Sequence, residues 1–233
     1  MIKKVMTTTF AAATLTAVLA SPAAAVGVNL ILDGGFENNV GLGNNQWGVF
    51  DNVGAWTRTN GQGIEVQRGQ NIGGSSPHGG QQKIELDSHN LDDKGKPKNY
   101  ESNSAMKQIV SLDAGTYEYS FWYKGRTKDA GTNGIRYRIT DADDGNEKIF
   151  KDDVTGVRKD GWVQYIETFS LTDATNVAFW FKAIGKEDTY GGYIDDVRLS
   201  AVPIPAALPL FGAALLGMGF LARRRKQKTA LQA

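Results

Sequence analysis

The stretch "TYEYSFWY" places Tyr117, Tyr119, Phe121 and Tyr123 on one side of any extended chain and leaves the residues between them on the other. A period of two that is rich in aromatic and β-branched residues fits a half-buried strand and cannot line one face of a helix. "GIRYRIT" repeats it with Ile135, Tyr137 and Ile139, and "NVAFWFKA" with Val177, Phe179 and Phe181. Weaker stretches of the same kind occupy residues 29–32, 63–67, 82–87, 105–112, 147–151, 162–171 and 193–200. Between them glycine, asparagine and aspartate cluster as turn formers. No long 3.6-residue period interrupts the series. About ten strands without a βαβ rhythm predict an all-β fold, an antiparallel two-sheet β-sandwich.

The two ends read differently from this body. "MIKKVMTTTFAAATLTAVLASPAAAVG" joins a basic start to an uncharged run and to Ala23-Ala24-Ala25, the pattern of a secretory signal peptide spanning residues 1–25. Near the other end, an apolar stretch with Gly212, Gly217 and Gly219 precedes "RRRKQK". Counted from Ala206 to Ala222 it forms a helix of ~25 Å, the short end of what spans a bilayer. The basic cluster predicts a cytoplasmic C-terminus and therefore an outward-facing body. Setting aside seven basic residues at the two ends leaves 19 against 25 acidic ones, so the body is acidic by about six charges. Such a body is a poor match for nucleic acid. The absence of cysteine excludes disulfides, thiolate metal sites and a cysteine nucleophile.

Val202, Pro203, Ile204, Pro205 and Ala206, followed by the apolar helix and the arginines, resemble the VPLPA-type C-terminal sorting signal, a relative of the PEP-CTERM class. That resemblance implies recognition by an exosortase-like enzyme and delivery to the cell surface, outer envelope or extracellular matrix. The C-terminal helix would lie in the inner membrane before processing. In the body, "LILDGGFE", "GQQKIEL", "MKQIVSLDAGTYEYSFWYK", "GWVQYIETFSL" and "GGYIDDVRL" follow one another as in the galactose-binding-like jelly roll. Carbohydrate-binding modules of the family 4/9/22 type resemble this order. The resemblance covers nearly all of residues 28–200. It implies a jelly-roll domain over 26–201, before a sorting segment at 202–228, with first and last strands adjacent and sugar binding as the expected role.

The same resemblance implies one structural Ca2+ where the first strand ends beside the last. Asp33, Glu37, Asp195 and Asp196 are the candidate ligands, since calcium takes several carboxylate and carbonyl oxygens. Asp195 alternates with Val197 and Leu199 and should face inward with them. Carboxylates hydrogen-bonded across the strand ends are the alternative. "DADDGNE" lacks the spacer of a calcium loop, and Asp144-Gly145-Asn146 reads as a hairpin turn. For a glycan, the residues opposite the core faces matter: Trp122 and Lys124, Arg136 and Arg138, Trp180 and Lys182. If their strands share a sheet, they form one platform of indoles and cations. Packing of both tryptophans under loops is the alternative. Trp47 and Trp56 offer a second platform.

Catalysis finds little support. His78 and His89 have no recognisable nucleophile beside them, and Glu85 and Asp87 lack the third group that sandwich glycosidases carry on the same strand. The sequence therefore predicts an exported, non-catalytic protein that binds extracellular polysaccharide. The rival reading is a structural or adhesive surface protein with protein partners.

Overall fold

The three aromatic stretches become the strands that carry the core. The computed structural model describes residues 27–203, apart from 39–40, 92–96, 99–100 and 146. The predicted signal peptide and most of the predicted sorting segment lie outside the described residues. In chain order the strands are β1 (Gln46–Phe50), β2 (Asn52–Val53), β3 (Trp56–Asn60), β4 (Ile64–Arg68), β5 (Gln82–Glu85), β6 (Asn90–Leu91) and β7 (Pro97–Lys98). They continue with β8 (Ala105–Leu112), β9 (Gly115–Lys124), β10 (Ile135–Asp141), β11 (Lys148–Val154), β12 (Val163–Leu171), β13 (Thr175–Ala183) and β14 (Tyr193–Ala201).

Two six-stranded antiparallel sheets result. The first runs β1-β4-β5-β14-β9-β12 and the second β11-β10-β13-β8-β3-β2; β6 and β7 form a separate short pair. From β8 onward the chain changes sheet at almost every turn, and only the β10–β11 hairpin stays within one sheet. The turn of that hairpin is the one the sequence predicts: Asp141 Oδ1 accepts from the Asp143 and Asp144 amides, and Gly145 has φ +59°.

Tyr119, Phe121, Ile84 and Ile194 of the first sheet meet Tyr137, Ile139, Phe179 and Phe181 of the second, all at most 1% exposed. Phe121 meets Phe181 edge-on at 5.0 Å, and Tyr119 stacks on Phe179 at 4.9 Å. Each such pair adds about 0.5–1.5 kcal/mol beyond the area it buries.

Three sequence expectations change. Residues 29–32 form no ladder strand, yet they do run beside β14: Leu30 N donates to Leu199 O at 2.8 Å, and Val197 N donates to Gly34 O at 2.9 Å. The predicted adjacency of this first segment and the last strand is therefore present without the predicted first strand. β1 and β3 were not foreseen, because "QWGVF" and "WTRTN" are short and show no sustained apolar alternation in a glycine- and asparagine-rich region. Finally, β14 carries a bulge. Its register against β9 shifts between Asp195 and Arg198, with Asp196 at φ +46°. The extra residue lets both Ile194 and Val197 face the core. Asp195, paired in register with Trp122, is turned to the opposite face rather than inward.

Candidate functional site: a charged network between two aromatic rings

With Ile64, Val66 and Ile84 pointing into the core, alternation sends Glu65, Gln67, Lys83 and Glu85 to the outer face of the first sheet. These four are nevertheless 0–1% exposed. A glycine-rich strap, residues 69–81 ("GQNIGGSSPHGGQ"), lies over part of that face. Lys83 Nζ donates to the carbonyls of Ile72 and Ser75, both at 2.9 Å, and the Tyr193 hydroxyl donates to Gly73 O at 3.0 Å. Further along, Trp162 Nε1 reaches Ser76 O at 3.3 Å, and the His78 ring stacks on Trp122 at 3.9 Å. Burial lowers the Lys83 pKa to about 8, with Glu85 opposing the shift.

Toward the β1 edge this face holds one connected network. Glu65 and Glu85 sit directly opposite each other on β4 and β5. Gln67 Nε2 bridges them, donating to Glu65 Oε1 at 2.8 Å and Glu85 Oε2 at 2.7 Å. Arg126 Nη1 donates to Glu85 Oε2 at 2.5 Å and to Thr189 O at 3.0 Å, while Gly191 N donates to Glu85 Oε1. The amide of His89 donates to Glu65 Oε2 at 3.0 Å, and its Nδ1 lies 2.6 Å from the same oxygen. Burial first, and then the facing Glu65, raise the Glu85 pKa well above the carboxylate range, against the pull of Arg126.

The network ends in an exposed ring on each side. His89 stacks on Trp47 at 4.4 Å, and Trp47 is 39% exposed. Arg126 lies 4.7 Å from the centre of the Tyr190 ring, which is 50% exposed. Among the described residues nothing takes the Arg126 Nε and Nη2 donors. The sequence offered Glu85, His89 and Trp47 singly. It missed Glu65 and Gln67, although the alternation of "IEVQ" places them outward, and it missed Arg126 and Tyr190 in loops.

The six predicted glycan residues do not form one platform. Trp122 and Lys124 are on β9 of the first sheet, whereas Arg136, Arg138, Trp180 and Lys182 are on β10 and β13 of the second. With the core between the sheets, the two groups face opposite sides of the sandwich. Trp122 is partly covered by His78 and borders an open cavity of about 340 Å3 with Asn29, Ser120, Gln164 and Arg198. Trp56 of the second predicted platform is fully buried, its Nε1 donating to Asp33 O at 3.3 Å.

The predicted calcium ligands are engaged by the backbone. Glu37 Oε1 accepts from the Gln81 and Gln82 amides at 2.7 and 2.8 Å. Asp195 Oδ2 accepts from the His78 and Gly79 amides, and its Oδ1 accepts from Asp196 N. Asp196 Oδ2 meets His78 Nδ1 at 2.5 Å, and Asp33 Oδ1 accepts from Asn38 N at 3.0 Å. Burial, with Asp196 adjacent, raises the Asp195 pKa to about 7. Among the described residues no three acidic or histidine side chains converge on one point. Each of the four carboxylates therefore has at least one hydrogen-bond partner from the protein, while Asp33 Oδ2 is buried without one. Asp87, predicted to share a face with Glu85, instead closes a loop junction: it accepts from Ser102 Oγ and from the Asp188 and Tyr190 amides.

No protein-family model matches this chain, and no curated protein does. Among solved structures, a Stig cyclase from Fischerella sp. TAU in complex with an indole derivative is 15% identical, with a TM-score of 0.55 over 76% of this chain and 98% of that one. A second cyclase structure from Fischerella sp. TAU is 16% identical, with a TM-score of 0.54 over 77% and 100%. TmCBM61 in complex with β-1,4-galactotriose is 17% identical, with a TM-score of 0.49 over 75% and 99%. At such identities the cyclase likeness establishes the two-sheet antiparallel sandwich and leaves activity open.

Proposed function

We propose that the sandwich is a non-catalytic glycan-binding module whose ligand lies along the line from Trp47 to Tyr190. One observation carries this reading: the network begins and ends in an exposed aromatic ring, with Arg126 donors between them that nothing takes among the described residues. Pyranose rings present apolar C–H faces to aromatic rings and hydroxyls to polar groups, a demand that this row meets on a rigid base. All four oxygens of Glu65 and Glu85 already accept hydrogen bonds from protein donors. That favours a positioning role for the two carboxylates over proton transfer to a substrate. Export and sorting to the surface, as the two ends of the sequence suggest, would bring the module to extracellular polysaccharide.

The Val26–Pro203 unit contains every described core residue and serves for the test. On a panel of immobilised neutral polysaccharides it should be retained by at least one, and Tyr190→Ala should weaken that retention roughly tenfold, the range of a contact residue in a binding site. Retention by no glycan would leave the adhesive reading in its place. Release of soluble sugar that is lost in Glu85→Gln would make the protein an enzyme.

A further inference from the structure

We infer that the outer face of the second sheet is a separate docking surface for an acidic polysaccharide, one carrying carboxylates along a flat chain. This face lies across the core from the Trp47–Tyr190 row and does not depend on it.

Strand register lays out the surface. One row across the sheet runs Lys151, Arg138, Trp180, Lys107 and Thr57, from β11 through β10, β13 and β8 to β3. The next row runs Asp153, Arg136 and Lys182. Neighbouring strands are about 4.8 Å apart, so the first row spreads its cations over roughly 14 Å. Like charges directly opposite each other destabilise a sheet, yet this sheet has two such pairs, Arg138 with Lys151 and Arg136 with Lys182. Among the described residues, Asp153 is the sole carboxylate at an outward strand position of this sheet, and it is taken up by Arg136 through two bonds of 2.6 and 2.7 Å. The like-charged pairs oppose folding, and they stand on a body that is acidic overall.

Trp180 explains why the cations are held in place. Lys107 Nζ and the Arg138 guanidinium lie 4.7 and 4.9 Å from the indole, one from each neighbouring strand, and Trp180 Nε1 donates to Thr140 Oγ1 at 2.9 Å. Each cation–π contact stabilises by about 0.5–1 kcal/mol at a partly exposed site. The indole is thus engaged by two cations. That disfavours single-stranded nucleic acid, which binds by stacking bases on open aromatic rings. A carboxylated sugar chain needs only spaced cations on a flat surface, which is what the two rows provide.

The test compares the Val26–Pro203 unit on polygalacturonate, on a neutral galactan and on a single-stranded oligonucleotide at low and moderate salt. Polygalacturonate should bind, and salt should weaken the binding. The double variant Lys151→Gln/Lys182→Gln removes two exposed charges outside the core, and a melting midpoint no lower than wild type confirms its fold. It should bind polygalacturonate roughly tenfold more weakly, whereas Trp47→Ala should leave that binding unchanged. No binding of polygalacturonate, equal binding by the double variant, or tighter binding of the oligonucleotide would each overturn the inference. Loss of binding in Trp47→Ala alone would also overturn it, by moving the anion to the other face.

Discussion

Arg126→Met should lower the stability of the Val26–Pro203 unit by about 3–5 kcal/mol, the cost of removing one partner from a buried ion pair. Glu85 is fully buried, and Arg126 Nη1 is its only cationic hydrogen-bond partner among the described residues. Methionine keeps much of the stem volume, so the loss is chiefly electrostatic. For a domain of this size the melting midpoint should fall by roughly 10–15 °C. The sign of its pH dependence follows from Glu85, whose pKa already lies well above the carboxylate range. Without Arg126 it rises further, so the proton taken up at low pH relieves the penalty and the destabilisation grows as pH rises. Arg136→Met is the control. It breaks the exposed pair with Asp153 and should cost less than about 1 kcal/mol. Equal losses in the two variants would show that the Glu85 network does not organise this face.

Gly73→Ala should cost about 2–5 kcal/mol, read by chemical denaturation. Gly73 has φ +64°, where a non-glycine residue loses about 1–2 kcal/mol. Its added Cβ would also meet the Tyr193 hydroxyl and Gln67 Oε1 well inside contact distance. The strap must then rise, and the buried Tyr193 hydroxyl loses its acceptor, Gly73 O, at about 1–3 kcal/mol. Fluorescence of Trp162, tied to the strap through Ser76 O, should shift to the red as it gains water. Gly145→Ala separates the two causes, since Gly145 also has positive φ, at +59°, but nothing lies within 4 Å of an added Cβ. It should cost only about 1–2 kcal/mol. A Gly73 variant no worse than this control would mean that the strap is not seated on Tyr193.

The core was legible residue by residue because a period of two separates inside from outside without tertiary information. Tyr117 to Tyr123, Ile135 to Ile139 and Val177 to Phe181 all point where the pattern sends them. The same pattern carries no information about which sheet a strand joins. Trp122 and Trp180 therefore looked like neighbours, although β9 and β13 lie in different sheets. Asp195 was misplaced because a bulge adds one residue and inverts the alternation beyond it. The site itself was the least legible part. Glu65 and Gln67 alternate as a solvent-facing pair would, and only burial of their face through long-range contacts makes them a network. Arg126 and Gly191 reach Glu85 from loops 41 and 106 residues away, a pairing that no local pattern signals.

The proposed glycan is seated between Trp47 and Tyr190. The most direct measurement titrates a neutral glycan retained by the protein while following the five tryptophan indole N–H signals and the His89 ring signals by NMR. The expected result is saturable movement of Trp47 and His89, with Trp56 in the core and Trp180 on the opposite face unmoved. Binding that shifts Trp122 and Trp162 while Trp47 and His89 stay fixed would contradict it and move the ligand to the other end of the strap.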